Sequence, residues 1–548
     1  MRTEPMAAPM AAIPFSVALQ TWQTMPGQPM RPSDSPPQTL LERFHPDYAA
    51  QATCRLMVGA SKGARCHPLL ARIIQGNALI GDVDLAALAP VTTDILVIGG
   101  GGAGVAAALA AREAGADVIL AAKLRVGDSN TVMAEGGIQA AVGDDDSLQR
   151  HYDDTLKGGH QAADPALVER LVGQAPAIIR WLIQLGMHFD LADSPTPGAR
   201  LLRKRAGGTT AARILSYRDF TGLEMMRVLR EAVELDRGVT ILNRHPAVEL
   251  LSNDHGHCAG AVLYDLEHAT LRIIRARAVI LATGGAGRLH LQGFATSNHY
   301  GATADGLALA YRIGARVRDM DSFQFHPTGI AWPQHLAGGL ISEAVRSLGA
   351  KLINGLGERF IDELAPRDLV TAAILRECAE GRGVVRDGQV GVLLDTPGLL
   401  AEKPDLLSRQ LVSLAHLADR CGIDPRREPL LIRPTLHYQN GGVEIDRHGA
   451  TAVPGLYCAG EVAGGIHGRN RLMGNALLDI LVFGREAGKA AATLAGTPLT
   501  GRVGLEHVRD WQRQLTYAGL INGPRSPLLY PAYGNFDLRA HMATARKG

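Results

Sequence analysis

An α/β fold is predicted by three observations along the chain. An apolar strand, "TDILVIGG", runs through a glycine turn into an alanine-rich helix, "VAAALAAREAG"; a second strand, "DVILAAKL", follows at once; and two later segments, "ARAVILATGGAGRL" and "VPGLYCAGEVAGG", again couple an apolar strand to a turn rich in glycine. The first unit carries Gly99-x-Gly101-x-x-Gly104 at its strand–helix junction. A pyrophosphate site requires that context, because the helix N-terminus presents free N–H groups and Gly101 lets the backbone approach the phosphates. A bound dinucleotide follows. Ala122 stands where nicotinamide- and many flavin-binding folds place a ribose-binding acid, which counts against NAD, and three glycine-bearing segments fit one flavin.

Taken in order, residues 1–40 are rich in Met, Pro and Ala, lack a basic segment followed by a long apolar core, and are expected to be disordered. Residues 41–90 hold enough apolar side chains to pack on a neighbour. Their "HPDYAAQATCRLMVGASKG" carries no nameable chemistry and reads as an extension. The dinucleotide unit starts at residue 91.

The 548 residues suggest two to four domains at about 150 residues each, and 46% hydrophobic with 20% charged residues is typical of a soluble globular protein. The net charge of +2 is spread along the chain and calls for no nucleic-acid partner. The longest uncharged apolar run, Ile95–Ala111, falls just short of the roughly 18–20 residues that span a bilayer and contains "GGGGAG", so direct membrane insertion is not expected. Cys54, Cys66, Cys258, Cys378, Cys421 and Cys458 are widely spaced with no C-x-x-C pair. No iron–sulfur, haem or zinc site is expected from this chain, and reduced thiols in the cytoplasm are.

Five further segments carry polar groups suited to chemistry: "FQFHPTG" with His326, "ISEAVRSLGA" with Ser342, Glu343 and Arg346, "LAPRDLV" with Arg367, "RPTLHYQNGG" with His437, and "GRNRLMGNALL" with Arg471. In "LAPRDLVTAAI", Pro366 at the first helical position puts Arg367 where the helix dipole is already positive. Singly, each has a bland reading as a core histidine or a surface ion pair. As an ordered series after the glycine turn, the chain resembles the flavoprotein subunit family of succinate dehydrogenase and fumarate reductase, which includes L-aspartate oxidase. The likeness runs from about Thr92 to Ala491.

The resemblance implies a glutathione-reductase-like FAD-binding Rossmann domain with an inserted α+β capping domain. The boundaries implied are 91–320 and 433–495 for the FAD-binding segments, 321–432 for the cap and 496–548 for a short C-terminal tail. It assigns to the cofactor Gly99, Gly101, Gly104, Lys123, Ser129, Asn130, Thr131, Glu135, Gly136, Gly137, Ala282, Thr283, Gly284, Gly285, Asp305, Glu461, Asn475 and Leu477. His326, His437, Arg471 and Ser342 are implied as substrate ligands, Arg367 as proton donor, and Glu343 with Arg346 as the relay that returns the proton. Guanidinium forks suit a dicarboxylate, which brings two negative charges into a site that excludes water.

Three departures refine the implied activity. Ser129-Asn130-Thr131 stands where the membrane-complex members have Ser-His-Thr with a covalent flavin, so FAD is expected to be non-covalent. Ala206 stands where L-aspartate oxidases hold the substrate amine with an acid, although Asp219 or Glu224 lies nearby in sequence and "WLIQLGMHFD" favours that branch. Ser347, Leu348 and Ala476 replace family residues around the relay and flavin, which suits a larger unsaturated acid. The expected activity is interconversion of fumarate and succinate, with L-aspartate oxidation to iminoaspartate as the alternative and a flavin-binding protein without catalysis as the third. The electrons require an external partner, an iron–sulfur subunit or a reductase, and the expected location is the cytoplasm or the membrane surface through that partner.

Overall fold

The computed structural model describes residues 12–24, 30, 36–80, 83–85, 88–192, 200–499 and 501–531. Strand Pro90–Ile98 lies between Val118–Ala121 and Thr270–Leu281, and all three run parallel. The short strand Leu456–Cys458 joins the far side of Thr270–Leu281, also in parallel. The three glycine-bearing ends therefore open on one edge of the sheet, as a crevice outside the carboxyl ends of parallel strands requires. Val239–Leu242 pairs in parallel with the outer side of Val118–Ala121, and an antiparallel extension, Cys258–Asp265, Ala247–Asn253 and Val503–Gly504, completes eight strands.

Small residues set the packing behind this edge. Helix Gly102–Glu113 crosses helix Asn475–Ala492 so closely that a Cβ on Gly484 would meet the Ala103 carbonyl oxygen at 2.6 Å, and one on Gly488 the Ala107 oxygen at 2.2 Å. The alanines read in sequence as a helix are thus the seam between two distant parts of the dinucleotide domain.

The second sheet, of six strands, belongs to the cap: Ile13–Pro14, Val384–Arg386, Gln389–Asp395, Leu430–Gln439 and Phe323–Ile330 in order, with Lys351–Ile353 beside Gln389–Asp395. Strand Leu430–Gln439 straddles residue 433, where the second dinucleotide segment was expected to begin, because it pairs with Phe323–Ile330 along most of its length. That pairing puts His326 beside Thr435 in register and brings it near His437.

The amino-terminal part corrects one expectation. Within residues 1–40, expected to be disordered, residues 1–11, 25–29 and 31–35 lie outside the described residues, but Ile13–Pro14 pairs in parallel with Val384–Val385 and Phe15–Thr24 is a helix. Its Ala18 is buried with Ile353, Val384, Leu393 and Leu431, and Arg386 stacks between the rings of Phe15 and Trp332. The extension also has specific work in the fold. Leu40 and Leu41 of helix Pro37–Phe44 pack in the same apolar cluster as Val370, Ile374 and Cys378 of helix Arg367–Ala379, the Asp47 carboxylate accepts the Phe323 N–H at 2.9 Å, and Leu56, Leu70 and Ile74 enter the main core. Strand Asn77–Ala78 then pairs with Arg525–Ser526 of the tail. One strap thus crosses from cap to dinucleotide domain.

A second link faces the cleft. Cap helix Val412–Cys421 begins after Leu411, which has no side-chain cap, and Asp219 of the dinucleotide domain supplies one by accepting the Ser413 N–H at 2.8 Å. The Ser413 hydroxyl donates to Glu135 Oε1 at 2.5 Å, and His416 packs near Phe220. Asp219→Ala should cost about 0.5–2 kcal/mol, the range for a lost N-cap, concentrated in the cap. Limited proteolysis should then cut faster within 321–432 than within 91–320; equal acceleration in both would show that Asp219 holds no domain contact.

Candidate active site

The glycine edge opens into a cleft, and the cap covers the end of it that carries the cationic side chains. Gly99 has φ +124°, and a Cβ there would lie 2.1 Å from the Ala282 oxygen, so the two turns touch only because the position is glycine. Gly101 caps helix Gly102–Glu113 without a side chain, and Gly102 donates its N–H to Thr131 Oγ1 at 3.2 Å. Gly136, Gly137 and Leu477 line the same cleft, with the start of helix Asn475–Ala492 opposite. Thr283 Oγ1 is buried there with no partner among the described residues, as a ligand-facing hydroxyl would be.

Around these turns the polar side chains hold one another. Lys123 Nζ meets Asp305 Oδ2 at 2.6 Å, and Asp305 Oδ1 accepts the Leu529 N–H at 3.1 Å. Asn130 donates to Asn298 Oδ1 at 3.1 Å and Glu461 Oε2 at 3.2 Å and accepts from the His299 N–H. Glu461 Oε1 accepts the Gln439 N–H at 3.0 Å. A Cβ on Gly285 would come within 2.5 Å of that carboxylate, so Gly285 backs Glu461, and Gly104 packs under Gly99; neither lines the cleft. Asn475 is a correction. Its amide turns away to Thr155 Oγ1 at 3.1 Å and His151 at 3.0 Å, anchoring the helix start instead of facing the cofactor space.

At the cap end, Arg367 Nη1 and Arg471 Nη2 both donate to Gln324 Oε1, at 2.9 and 2.8 Å. Gln324 was missed in the sequence. A glutamine two residues before His326 on a buried strand carries no mark of its own in the sequence. Arg367 Nε donates to Glu343 Oε2 at 2.7 Å, Arg346 Nη2 reaches that oxygen at 3.3 Å, and the Gly207 N–H donates to Glu343 Oε1 at 2.8 Å. Arg346 lies behind Glu343, off the cleft, and bonds the Glu363 carbonyl. Pro366 is the residue before the helix, not its first, so Arg367 opens it. The rings of His326 and His437 meet edge to face at 5.1 Å, and Ser297 Oγ holds His437 Nδ1 at 2.7 Å. Ser342 lines the cleft, but its hydroxyl caps helix Glu343–Ser347. Asp219 and Glu224 do not line the cleft: the first caps the Val412–Cys421 helix, and the second is bound by Arg227 and His188.

Charge states follow from burial and neighbours. Burial, then the charge of Arg367, drives His326 far below its ordinary value, and burial with Arg471 and Arg367 does the same to His437, so both imidazoles are neutral. Burial opposes ionisation of Glu343, but Arg367 and Arg346 outweigh it and bring the carboxyl down to about 2. Burial and Arg367 lower the Arg471 guanidinium to about 10. Burial raises Glu461 to about 7 and Glu135 to about 8, the latter against the Ser413 hydroxyl.

The Glu135 shift has a stability consequence of fixed sign. Its folded value, about 8, lies above the ordinary 4.5, so the folded protein binds more protons than the unfolded chain between those limits and loses stability as pH rises through them. Glu135→Gln should therefore melt higher than wild type at about pH 8.5, with the margin shrinking toward about pH 5. A margin independent of pH would place the titration elsewhere.

Comparison with known proteins agrees with this geometry. A family model described as FAD binding domain matches residues 94–477. The fumarate reductase flavoprotein subunit of Mycobacterium tuberculosis is 39% identical in a match that covers 73% of this chain and 70% of its own. The L-aspartate oxidase of Streptomyces coelicolor is 38% identical, covering 80% and 74%. Among solved structures, E. coli quinol fumarate reductase is 32% identical with a TM-score of 0.70, covering 79% of this chain and 74% of its own. The chain belongs to the family of FAD-dependent oxidoreductases that contains fumarate reductase flavoprotein subunits and L-aspartate oxidases.

Proposed function

We propose that the protein reduces fumarate, or a close unsaturated dicarboxylate, to the saturated diacid, with Arg367 as proton donor. The observation that carries this reading is the pair of guanidiniums on one oxygen of Gln324. Nitrogens so bonded lie no more than about 6 Å apart, where two like charges repel by roughly 3 kcal/mol at an effective dielectric of about 20. A dianion relieves that repulsion.

Arg471, His326 and His437 hold the carboxylates, the imidazoles as neutral donors. Arg471 Nε, buried with no partner among the described residues, is available to one of them. Gly99, Gly101, Thr131, Thr283, Glu461 and Leu477, which line the cleft, would hold FAD, and the reduced cofactor would supply the hydride that one alkene carbon needs. Arg367 gives a proton to the other carbon, so two C–H bonds form as the double bond is lost, and Glu343 and Arg346 return the proton to Arg367. An external electron donor, an iron–sulfur protein or a reductase, restores the reduced cofactor.

The aspartate oxidase relative supports a second reading. It is disfavoured by the buried Ala206, which offers nothing to an ammonium, and by the commitment of Asp219 and Glu224 to other partners. Aspartate-dependent peroxide release by the purified protein would favour it.

Arg367→Lys removes the fork and should lower fumarate turnover by about 100- to 10,000-fold, the range for a lost general acid, while FAD stays bound. Anaerobic photoreduction followed by reoxidation with fumarate reads this directly, and near-normal rates would sink the assignment. With Asn130 in place of the linking histidine, we further propose that FAD is non-covalent. Acid precipitation should leave a colourless pellet under a yellow supernatant.

A further inference from the structure

Behind Arg471 lies a buried polar chain that the proposed chemistry does not use. The Arg471 guanidinium carbon stands 4.5 Å from the centre of the Tyr438 ring. The Tyr438 hydroxyl donates to Asp479 Oδ2 at 3.1 Å, and His467 Nε2 reaches that oxygen at 3.2 Å. The His467 ring packs edge-on against the phenol, with centres 5.5 Å apart. Tyr438 is 7% exposed, His467 2% and Asp479 0%. Three elements meet here: the strand carrying His437, the loop before Arg471, and helix Asn475–Ala492.

Arg471 is weakly held otherwise. Among the described residues its one short hydrogen bond is to Gln324, and Nη1 has only a long 3.4 Å contact with the Leu472 carbonyl. The face of Tyr438 is thus a main constraint on the plane of the guanidinium. Burial and the carboxylates of Asp479 and Glu461 keep the phenol well above its ordinary value, so it retains its proton and donates. A phenol that donates to a carboxylate gains electron density in its ring, and the negative ring face is what attracts a guanidinium.

We propose that Asp479 is a positioning residue for Arg471, acting through Tyr438, with His467 fixing the carboxylate. The proposal rests on the reading above, in which Arg471 binds a substrate carboxylate. Dissociation constants for fumarate and malonate, taken from the flavin difference spectrum of the oxidised holoenzyme, test it. Tyr438→Phe and Asp479→Asn should each weaken binding about tenfold, and the double variant should be no weaker than the weaker single, because both break one chain. Turnover at saturating fumarate should change by less than about twofold, since a positioning loss falls on binding. Binding by Asp479→Asn within twofold of wild type, or losses that add in the double variant, would overturn the proposal. Tyr438→Phe removes a single oxygen, so it decides alone should Asp479→Asn fail to retain flavin. Wild-type protein that binds neither diacid overturns the proposed function itself; tight wild-type binding with unaffected variants overturns only the role of Asp479.

Discussion

Two guanidiniums share one amide oxygen in a buried cleft, and the rest of the molecule is arranged around that arrangement. Burying a charge is costly unless it is paired and hydrogen-bonded. Arg367 has Glu343 as counterion, and Arg346 reaches the same carboxylate oxygen from behind. Arg471 has no carboxylate within ion-pair distance among the described residues and leans on Gln324 and an aromatic face. The excess of positive charge at the cap end of the cleft is therefore built in. It gives the cleft its preference for an anion before any shape is considered.

Holding such a site requires the cap to sit accurately on the dinucleotide domain, and three contacts do this by different physics. The strap of residues 36–80 uses apolar burial, placing Leu40 and Leu41 on the cap side and Leu70 and Ile74 in the main core. Asp219 and Glu135 use directional bonds to the start of one cap helix. Gly207 offers a backbone N–H to Glu343, so that carboxylate itself bridges the domains. A cap held only by burial could slide, and one held only by polar contacts would pay desolvation at each opening. Together they favour one closed register while leaving the opening of a lid within reach.

What was legible in the sequence was what backbone geometry demands locally. A glycine whose Cβ would strike a carbonyl at 2.1 Å announces itself, as does an alanine-rich helix that must meet another at close range. Illegible were the long-range commitments. Nothing near Ile13 reveals that its partner is Val384, so a Met- and Pro-rich stretch read as disorder. Asp219 and Glu224 looked free because the groups that occupy them lie on a cap helix in one case and across a turn in the other. Asn475 was assigned to the cofactor from its motif, yet a side chain on the first turn of a helix can face either way, and His151 and Thr155 decided it. Gln324 escaped notice because a lone glutamine on a buried strand carries no signal until two arginines converge on it.

The choice of acid in the proposed reaction follows from the states of its neighbours. His326 and His437 are neutral and have been driven so far below their ordinary values that neither holds an extra proton to give. Glu343, at about 2, is an anion at any physiological pH, so it holds no proton of its own to start the transfer and can only pass one on. Glu461 and Glu135 do hold protons near neutrality, but their oxygens face Gln439 and Asn130 in one case and Ser413 in the other. That leaves a guanidinium. Arg471 is committed to orientation by its ring contact, whereas Arg367 has an anion on its Nε side and opens a helix whose dipole disfavours a cation there by roughly 0.3–1 kcal/mol. The dipole alone is too small to select the donor. Its sign matters because it adds to the repulsion from Arg471, and Glu343 then restores the charge once the proton has gone.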